Sequence, residues 1–389
     1  MKNPELTLPF EIAEISIKNH DLFDDITLKF SNPGFNLIIG ENGSGKSTLL
    51  NLLSFHYDTH SPLTNYLVSS NLGVVFNLVS TGTEAIFTLY DEQEQAYPGH
   101  EIQKVAQNIK LVRPIINHDS TNDIGMKSHN DFQKEIADKL KSKDGLLKEI
   151  NAILADNNID RFIEIDENTN ELIYGSDRKL YGGLFKNESG NLSSGQYYLL
   201  KILIESLSES KILLIEEPEI SLHPEWQEKI IDILRHPSIG DKQIFIVVQS
   251  PYIFNKHLAD VDIKLFTLER GNGKSKISSL VSFQFDWQRS YNGINYHIFN
   301  IVSNEYHIEL YNSIMIEANI NEIKRTDTFI KASSSYDAAY ERIKDYGKTK
   351  YYTLPTFIRN EIHHPKNGYT FNDVDLRTSI ELMIKILEN

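Results

Sequence analysis

Hydrophobic and polar positions alternate along Glu11 to Lys18 and Asp25 to Phe30, as they do in half-buried strands, and these lead into the largely apolar run Phe35 to Ile39. Gly73 to Val79 and Ala85 to Tyr90 predict a hairpin. Of two later runs, Lys211 to Ile215 is apolar after its first residue, the pattern of a buried parallel strand, and Gln243 to Val248 also reads as a strand. Residues 91–160 break this pattern: Asp131 to Leu140 and Gly145 to Leu154 have the spacing of amphipathic helices. Arg161 to Ile165 and Glu171 to Tyr174, joined by Asp166-Glu167-Asn168-Thr169-Asn170, predict a second hairpin, and Gly271-Asn272-Gly273-Lys274 predicts a turn. After about Asp286 the period becomes helical and the composition aromatic, over Tyr296 to Val302, Glu305 to Ala318, Ser335 to Tyr346, Leu354 to Ile362 and Asn372 to Leu387. The stripe Tyr306, Leu310, Ile314 is expected in the core of that segment.

The apolar run Phe35 to Ile39 ends in Gly40-Glu41-Asn42-Gly43-Ser44-Gly45-Lys46-Ser47-Thr48, and Leu49-Leu50-Asn51-Leu52-Leu53 follows as a helix. Strand, glycine-rich loop and helix in that order make a P-loop. The glycines let amides turn inward around phosphates, Lys46 reaches the β/γ-phosphates, and the Ser47 hydroxyl is a Mg²⁺ ligand. Leu192-Ser193-Ser194-Gly195-Gln196 opens a helix over Tyr197 to Leu207, which directs two hydroxyls and several amides at an anion. The strand Lys211 to Ile215 ends in Glu216-Glu217-Pro218-Glu219, putting carboxylates at the same sheet edge as the phosphate site.

The order of these three segments resembles an ABC-type ATPase, in the group that contains SMC, RecF and OLD proteins rather than transporter cassettes. The resemblance implies a nucleotide site holding ATP with Asn42, Gly43, Ser44, Gly45, Lys46, Ser47 and Thr48, and Mg²⁺ with Ser47 and, through water, Glu216. Glu217 becomes the general base for the attacking water. Ser193, Ser194, Gly195 and Gln196 form the signature that touches the γ-phosphate held by a second protomer, so a homodimer through ATP-sandwiched heads is implied. Ser221-Leu222-His223-Pro224 falls at the D-loop, and Gln249-Ser250-Pro251 falls where relatives usually carry a switch histidine. Asn117 is the one candidate for the Q-loop residue. Two departures stand out: Glu216 for the usual Asp, which preserves Mg²⁺ chemistry, and Gln249 for His, which binds phosphate but carries no charge and implies slow hydrolysis.

Composition narrows the picture. A net charge of −15 argues against broad coating of DNA, and the absence of cysteine excludes a disulfide framework or a Cys-based zinc site and implies a cytoplasmic setting. No apolar run approaches the ~20 residues that span a bilayer, so no membrane role is expected. The lysines of the 91–160 segment (Lys134, Lys139, Lys141, Lys143, Lys148) read as a solvated helix face, with a nucleic-acid surface as the alternative.

Arg359-Asn360-Glu361-Ile362-His363-His364-Pro365 lies at the end of a predicted helix, since Pro365 biases His364 away from helical geometry. Arginine, a polar residue and a terminal histidine together suit phosphodiester recognition and proton transfer; an Arg/His helix end favoured by the macrodipole is the structural alternative. The run resembles the R-N-x-x-x-H motif of HEPN ribonucleases, with Arg359, Asn360 and His364 at the motif positions and His363 as a competitor. The expected fold is therefore α/β: a P-loop ABC ATPase head with a short helical insertion and a C-terminal all-helical domain. Its divisions are 1–90 and 161–285 for the head, 91–160 for the insertion and 286–389 for the HEPN-like domain. The two resemblances imply an ATPase controlling a ribonuclease that acts on RNA such as tRNA, in anti-phage defence or as a toxin. An ATPase scaffold for a separate nuclease or regulatory partner, and a RecF-like repair ATPase, remain as alternatives.

Overall fold

A computed structural model describes residues 10–31, 33–54, 73–80, 83–90, 107–114, 129–159, 161–165, 172–176, 190–191, 193–258, 260–271, 273–280, 285–346, 349–365 and 370–389. Asn117, Leu192 and the turn Asp166 to Asn170 lie outside the described residues. The chain divides into two compact units, residues 1–281 and 282–389.

The first unit begins with β1 (Glu11–Lys18), β2 (Ile26–Lys29) and β3 (Gly34–Gly40), and continues with β4 (Gly73–Ser80) and β5 (Thr83–Tyr90). β6 (Ile109–Val112) follows, then β7 (Arg161–Ile165), β8 (Leu172–Ser176) and β9 (Gly190–Asn191). β10 (Ile212–Glu216), β11 (Gln243–Val248), β12 (Ile263–Arg270) and β13 (Ser275–Leu280) complete it. The central sheet has the order β13-β12-β3-β11-β10-β6, parallel from β12 to β6, with β13 antiparallel at the edge. β10 and β11 are apolar because both faces are covered: Ile212 to Ile215 and Gln243 to Val248 are all buried. A four-stranded antiparallel sheet, β2-β1-β4-β5, packs beside it.

Gln243 joins these two sheets. Its Nε2 donates to the carbonyls of Ile12 (2.7 Å) and Ser31 (3.0 Å), and its Oε1 accepts from Ile12 N at 2.8 Å, so a polar side chain that is wholly buried is fully engaged. Phe30 lies edge-on to Phe245 and Phe266 beneath this junction.

The inserted helices run over His129–Ser142 and Leu146–Asp156. Two of the lysines read as a solvated face serve the neighbouring helix Ser194–Ser206: Lys139 pairs with Glu205 at 2.8 Å, and Lys143 Nζ donates to Leu207 O at 3.0 Å, close to the negative end of that helix. The side chain of Lys134 is outside the described residues.

The second unit packs helices Asn304–Glu317, Leu354–His363 and Asp373–Leu387 around Tyr306, Leu310, Ile314, Ile358, Ile380 and Met383, so the Tyr306 stripe is core. This unit is mostly helical, yet the expectation of an all-helical domain needs correction. Ser335 to Tyr346 is not a helix: a short 3-10 turn at Ala338–Tyr340 leads into β14 (Glu341–Tyr346), which pairs antiparallel with β15 (Thr349–Thr353). A tertiary contact overrides the local helical pattern. Asp327, on the helix Ile323–Ala332, is buried and accepts from the amides of Tyr352 and Thr353 at 2.9 Å and from Thr353 Oγ1 at 2.7 Å. That carboxylate fixes extended backbone where β15 turns into the next helix.

Candidate functional site

β3 delivers the chain into the glycine-rich loop, and the helix Lys46–Ser54 leaves it. Gly43 and Gly45 have φ of 78° and 96°, backbone that disfavours any side chain. A Cβ at Gly45 would also lie 2.6 Å from the Phe23 ring, because Leu22 and Phe23 back the loop. Lys46 is buried, and its Nζ donates to Gly40 O and Glu41 O, both at 2.8 Å. Burial lowers its pKa, opposed by the negative charges of Glu217, Glu219 and Glu41. Ser44 Oγ is buried in the loop without a hydrogen-bond partner, and a phosphate oxygen would supply one.

The C-terminal ends of β10 and β11 bring the acidic residues and the amide together. Glu217 has φ 43°, an uncommon conformation for a residue with a side chain, and is held there by its N–H, which donates to Val247 O at 2.8 Å. Gln249 Nε2 donates to Glu217 Oε1, and Gln249 N donates to Glu219 Oε1. Glu216 is the last residue of β10, Asn51 stands on the loop's helix, and Arg113 bridges them, with Nε donating to Glu216 Oε2 at 2.8 Å and Nη2 to Asn51 Oδ1. Tyr198, from the helix Ser194–Ser206, is buried and donates its hydroxyl to the carbonyl of Glu216.

Glu219 was not singled out by the sequence argument. Its Oε2 is buried without a partner, and burial pushes its pKa up to about 7 against the opposing backbone amide of Gln249 and the charge of Lys46. The signal was in the sequence, as the next carboxylate after Glu217 across a proline, but its burial was not.

At the start of the helix Ser194–Ser206, Ser193 is the N-cap and forms a capping box with Gln196, while Ser193 and Ser194 are exposed. Gly195 is buried, and a Cβ there would collide with the carbonyl of Ser221, so the helix start and the Ser221 segment fit together only with glycine. Ser47 is exposed and Thr48 half-buried at the first turn of their helix, and Asn42 is exposed in the loop.

Among the described residues, no cluster of three or more His, Cys, Asp or Glu is placed to hold a metal alone. Magnesium usually takes one or two carboxylates and completes its octahedron with water and substrate phosphates, so hydroxyl Ser47 and carboxylate Glu216 form a fitting donor set. Strand-loop-helix geometry, the inward Lys46 and the acidic end of β10 are a P-loop ATPase arrangement on a mixed, mainly parallel sheet. Residues 87–255 match a family model described as "AAA domain, putative AbiEii toxin, Type IV TA system". The first unit is a P-loop ATPase domain.

Comparison with curated proteins found no match. Solved structures similar to this ATPase include an SMC head bound to the C-terminal winged-helix domain of ScpA. It is 14% identical with a TM-score of 0.45, over 70% of this chain and 98% of that one. Another is the SMC head domain from Thermotoga maritima, 13% identical with a TM-score of 0.42, over 69% of this chain and 98% of that one. Among the described residues no helix is long and apolar enough to cross a membrane.

The second group of candidate residues stands in the other unit, on the helix Leu354–His363. Thr353 caps its start and Pro355 occupies its first turn; His364 N donates to Asn360 O at 2.9 Å as the helix ends. Arg359 is half-buried, and its Nη1 donates to Asn360 Oδ1 at 3.1 Å; Asn360 is buried, while His363 and His364 are exposed. Partial desolvation, with the neighbouring Arg359 and His364, lowers the pKa of His363 below the ordinary imidazole value. Arg359, Asn360, His363 and His364 therefore share one helix end.

Proposed function

We propose that the ATPase unit is of ABC type, pairs with a second copy across bound ATP and Mg²⁺, and controls an RNA-cleaving activity of the C-terminal unit, in anti-phage defence or as a toxin. In the ATPase, Lys46 and the loop amides hold the β- and γ-phosphates, and Ser47 and Glu216 hold Mg²⁺, which when bound neutralises charge developing on the phosphates. Glu217 accepts the proton of the attacking water. Gln249 sets the position of that carboxylate through one N–H of its amide and offers the other to the γ-phosphate. Ser194 and its neighbouring amides, exposed at their helix end, close on the partner's γ-phosphate.

The nuclease reading is carried by one observation: Arg359, bonded to Asn360, stands at a helix end that presents two exposed histidines. A neutral imidazole takes the proton of the ribose 2′-OH; the 2′-oxygen attacks phosphorus, and the 5′-oxygen leaves as a second histidine, starting as imidazolium, protonates it. Arg359 offsets the charge of the phosphorane, and the products are a 2′,3′-cyclic phosphate and a 5′-OH. Two helix ends in a dimer supply acid and base in separate copies. The name of the matched family model accords with a toxin role, although it applies to residues 87–255 and not to this unit.

The burial of Asn360 favours a second reading, in which this helix end is structural and the protein is an ATP-driven sensor or scaffold for a separate nuclease. Incubating the pure full-length protein with total RNA, with and without ATP, decides between them. The first reading expects ATP-dependent fragments ending in cyclic phosphate; intact RNA under conditions where ATP is hydrolysed overturns it in favour of the second.

A further inference from the structure

The end of β6 enters the nucleotide site without a place in the scheme above. β6 pairs parallel with β10 in the register Ile212↔Ile109 to Ile215↔Val112, and one further step puts Arg113 abreast of Glu216. Side chains in the same row of neighbouring strands lie on the same face, which explains the 2.8 Å contact between Arg113 Nε and Glu216 Oε2. The other arm of the guanidinium reaches Asn51 Oδ1. Asn51 is four residues after Ser47 on one helix, so the two share a face one turn apart. Arg113 thus spans from the carboxylate that suits Mg²⁺ to the helix face that carries the suited hydroxyl. It is 45% exposed at the side chain against 12% for Glu216, so the guanidinium has an open path away while the carboxylate has none.

We propose that Arg113 is a displaceable counter-ion of Glu216 that competes with Mg²⁺ for the same carboxylate oxygen, and so sets the Mg²⁺ concentration at which this site takes up Mg²⁺·ATP. This rests on the reading of Glu216 as a magnesium ligand. A monovalent guanidinium keeps an otherwise enclosed carboxylate charge-balanced, and a divalent ion outcompetes it once phosphate oxygens complete the ion's shell. Release also frees Asn51, so arrival of the ion is transmitted along the P-loop helix. Arg113 is a positioning residue in this scheme; it acts through Glu216.

The test is a Mg²⁺ titration of the binding of a fluorescent ATP analogue to the full-length protein, for wild type, Arg113→Gln, Arg113→Lys and each change combined with Glu216→Gln. The half-saturating Mg²⁺ concentration of Arg113→Gln should fall about three- to fivefold, the scale of a partly exposed ion pair, and that of Arg113→Lys should fall less because the charge remains. On the Glu216→Gln background neither change should shift the curve further, since the shared partner is gone. An unchanged Mg²⁺ curve, or a higher Mg²⁺ requirement in Arg113→Gln, overturns the inference; the latter would mean that Arg113 holds Glu216 in place for the ion. Failure of the wild type to bind the analogue at any Mg²⁺ concentration would overturn the nucleotide-site reading and this inference with it. A curve that binds but does not move overturns this inference alone. Far-ultraviolet circular dichroism of each variant guards against loss of fold, and Arg113→Lys, which keeps size and charge, gives the comparison if Arg113→Gln unfolds.

Discussion

Lys46 and Glu217 have separable roles at the scale of single residues. Lys46 has its ammonium turned toward the phosphate loop, whereas Glu217 is pinned in a left-handed conformation at the end of β10 with its carboxylate on Gln249. Lys46→Ala should abolish binding of a fluorescent ATP analogue. Glu217→Gln should bind it as wild type does and lose turnover by at least about 10²-fold, because an amide cannot accept the proton of water. Undiminished hydrolysis by Glu217→Gln removes Glu217 from the role of base. Glu219 tests the electrostatics of the same pocket. Its folded pKa of about 7 lies above the ordinary carboxylate value of 4.5, so the folded state binds this proton more tightly than the unfolded state. The stability this group contributes is present at low pH and lost as pH rises from about 4.5 through 7. Glu219→Gln keeps the acceptor for Gln249 N and removes the charge. Without nucleotide, its melting temperature should therefore gain on wild type progressively from pH 5 to pH 8, by on the order of 2 kcal/mol in stability at the upper end. A constant difference across that range contradicts the buried position of this carboxyl.

At the scale of elements, the helix Ser194–Ser206 presents its start to solvent and secures its interior through Gly195 against Ser221 and Tyr198 on Glu216. Ser194→Arg should put bulk at the exposed helix start while leaving the P-loop intact. Analogue binding should persist, and the rise of specific ATPase activity with protein concentration, expected of a shared site, should disappear. Specific activity independent of concentration in wild type as well as mutant would exclude sharing. The strands that carry this site were legible, because a strand buried on both faces writes a mostly apolar run, as Phe35 to Ile39 (broken only by Asn36), Ile212 to Ile215 and Ile244 to Val248 do. The loop, the capped helix start at Ser193 and the acidic strand end were legible because each depends on residues adjacent in sequence. Arg113 was not: it meets Glu216 only because β6 lies beside β10, a pairing that no local pattern announces across 103 residues. The hairpin of β14 and β15 was missed for a similar reason, since its extended backbone is fixed by Asp327 from another helix. The helix Ile323–Ala332 itself buries Thr326 and Asp327 beside Ile330, so its inner face is partly polar and gave no apolar stripe long enough to read.

At the scale of the molecule, the two units have separate cores, and each candidate site lies within one unit. Substitutions at the helix end of the second unit should therefore leave the ATPase chemistry intact. Arg359→Ala removes charge stabilisation and His364→Ala removes a proton-transfer group, so each should lower RNA cleavage by at least about 10²-fold with ATP hydrolysis largely preserved. His363→Ala discriminates between neighbours. The lowered pKa of His363 favours the unprotonated form that a base needs, yet His364 occupies the motif position, and the His363 variant is expected to retain cleavage. Cleavage should also resist EDTA when added after ATP-driven pairing, because the ribose hydroxyl is the nucleophile and needs no metal. Expression of wild type and the three variants, scored by growth arrest and RNA fragments, gives the reading. If His363→Ala alone is inactive, the imidazole at His363 performs the proton transfer. If all four proteins arrest growth alike without RNA fragments, ATP-driven control acts on a separate partner, and the exposed histidines only terminate the helix.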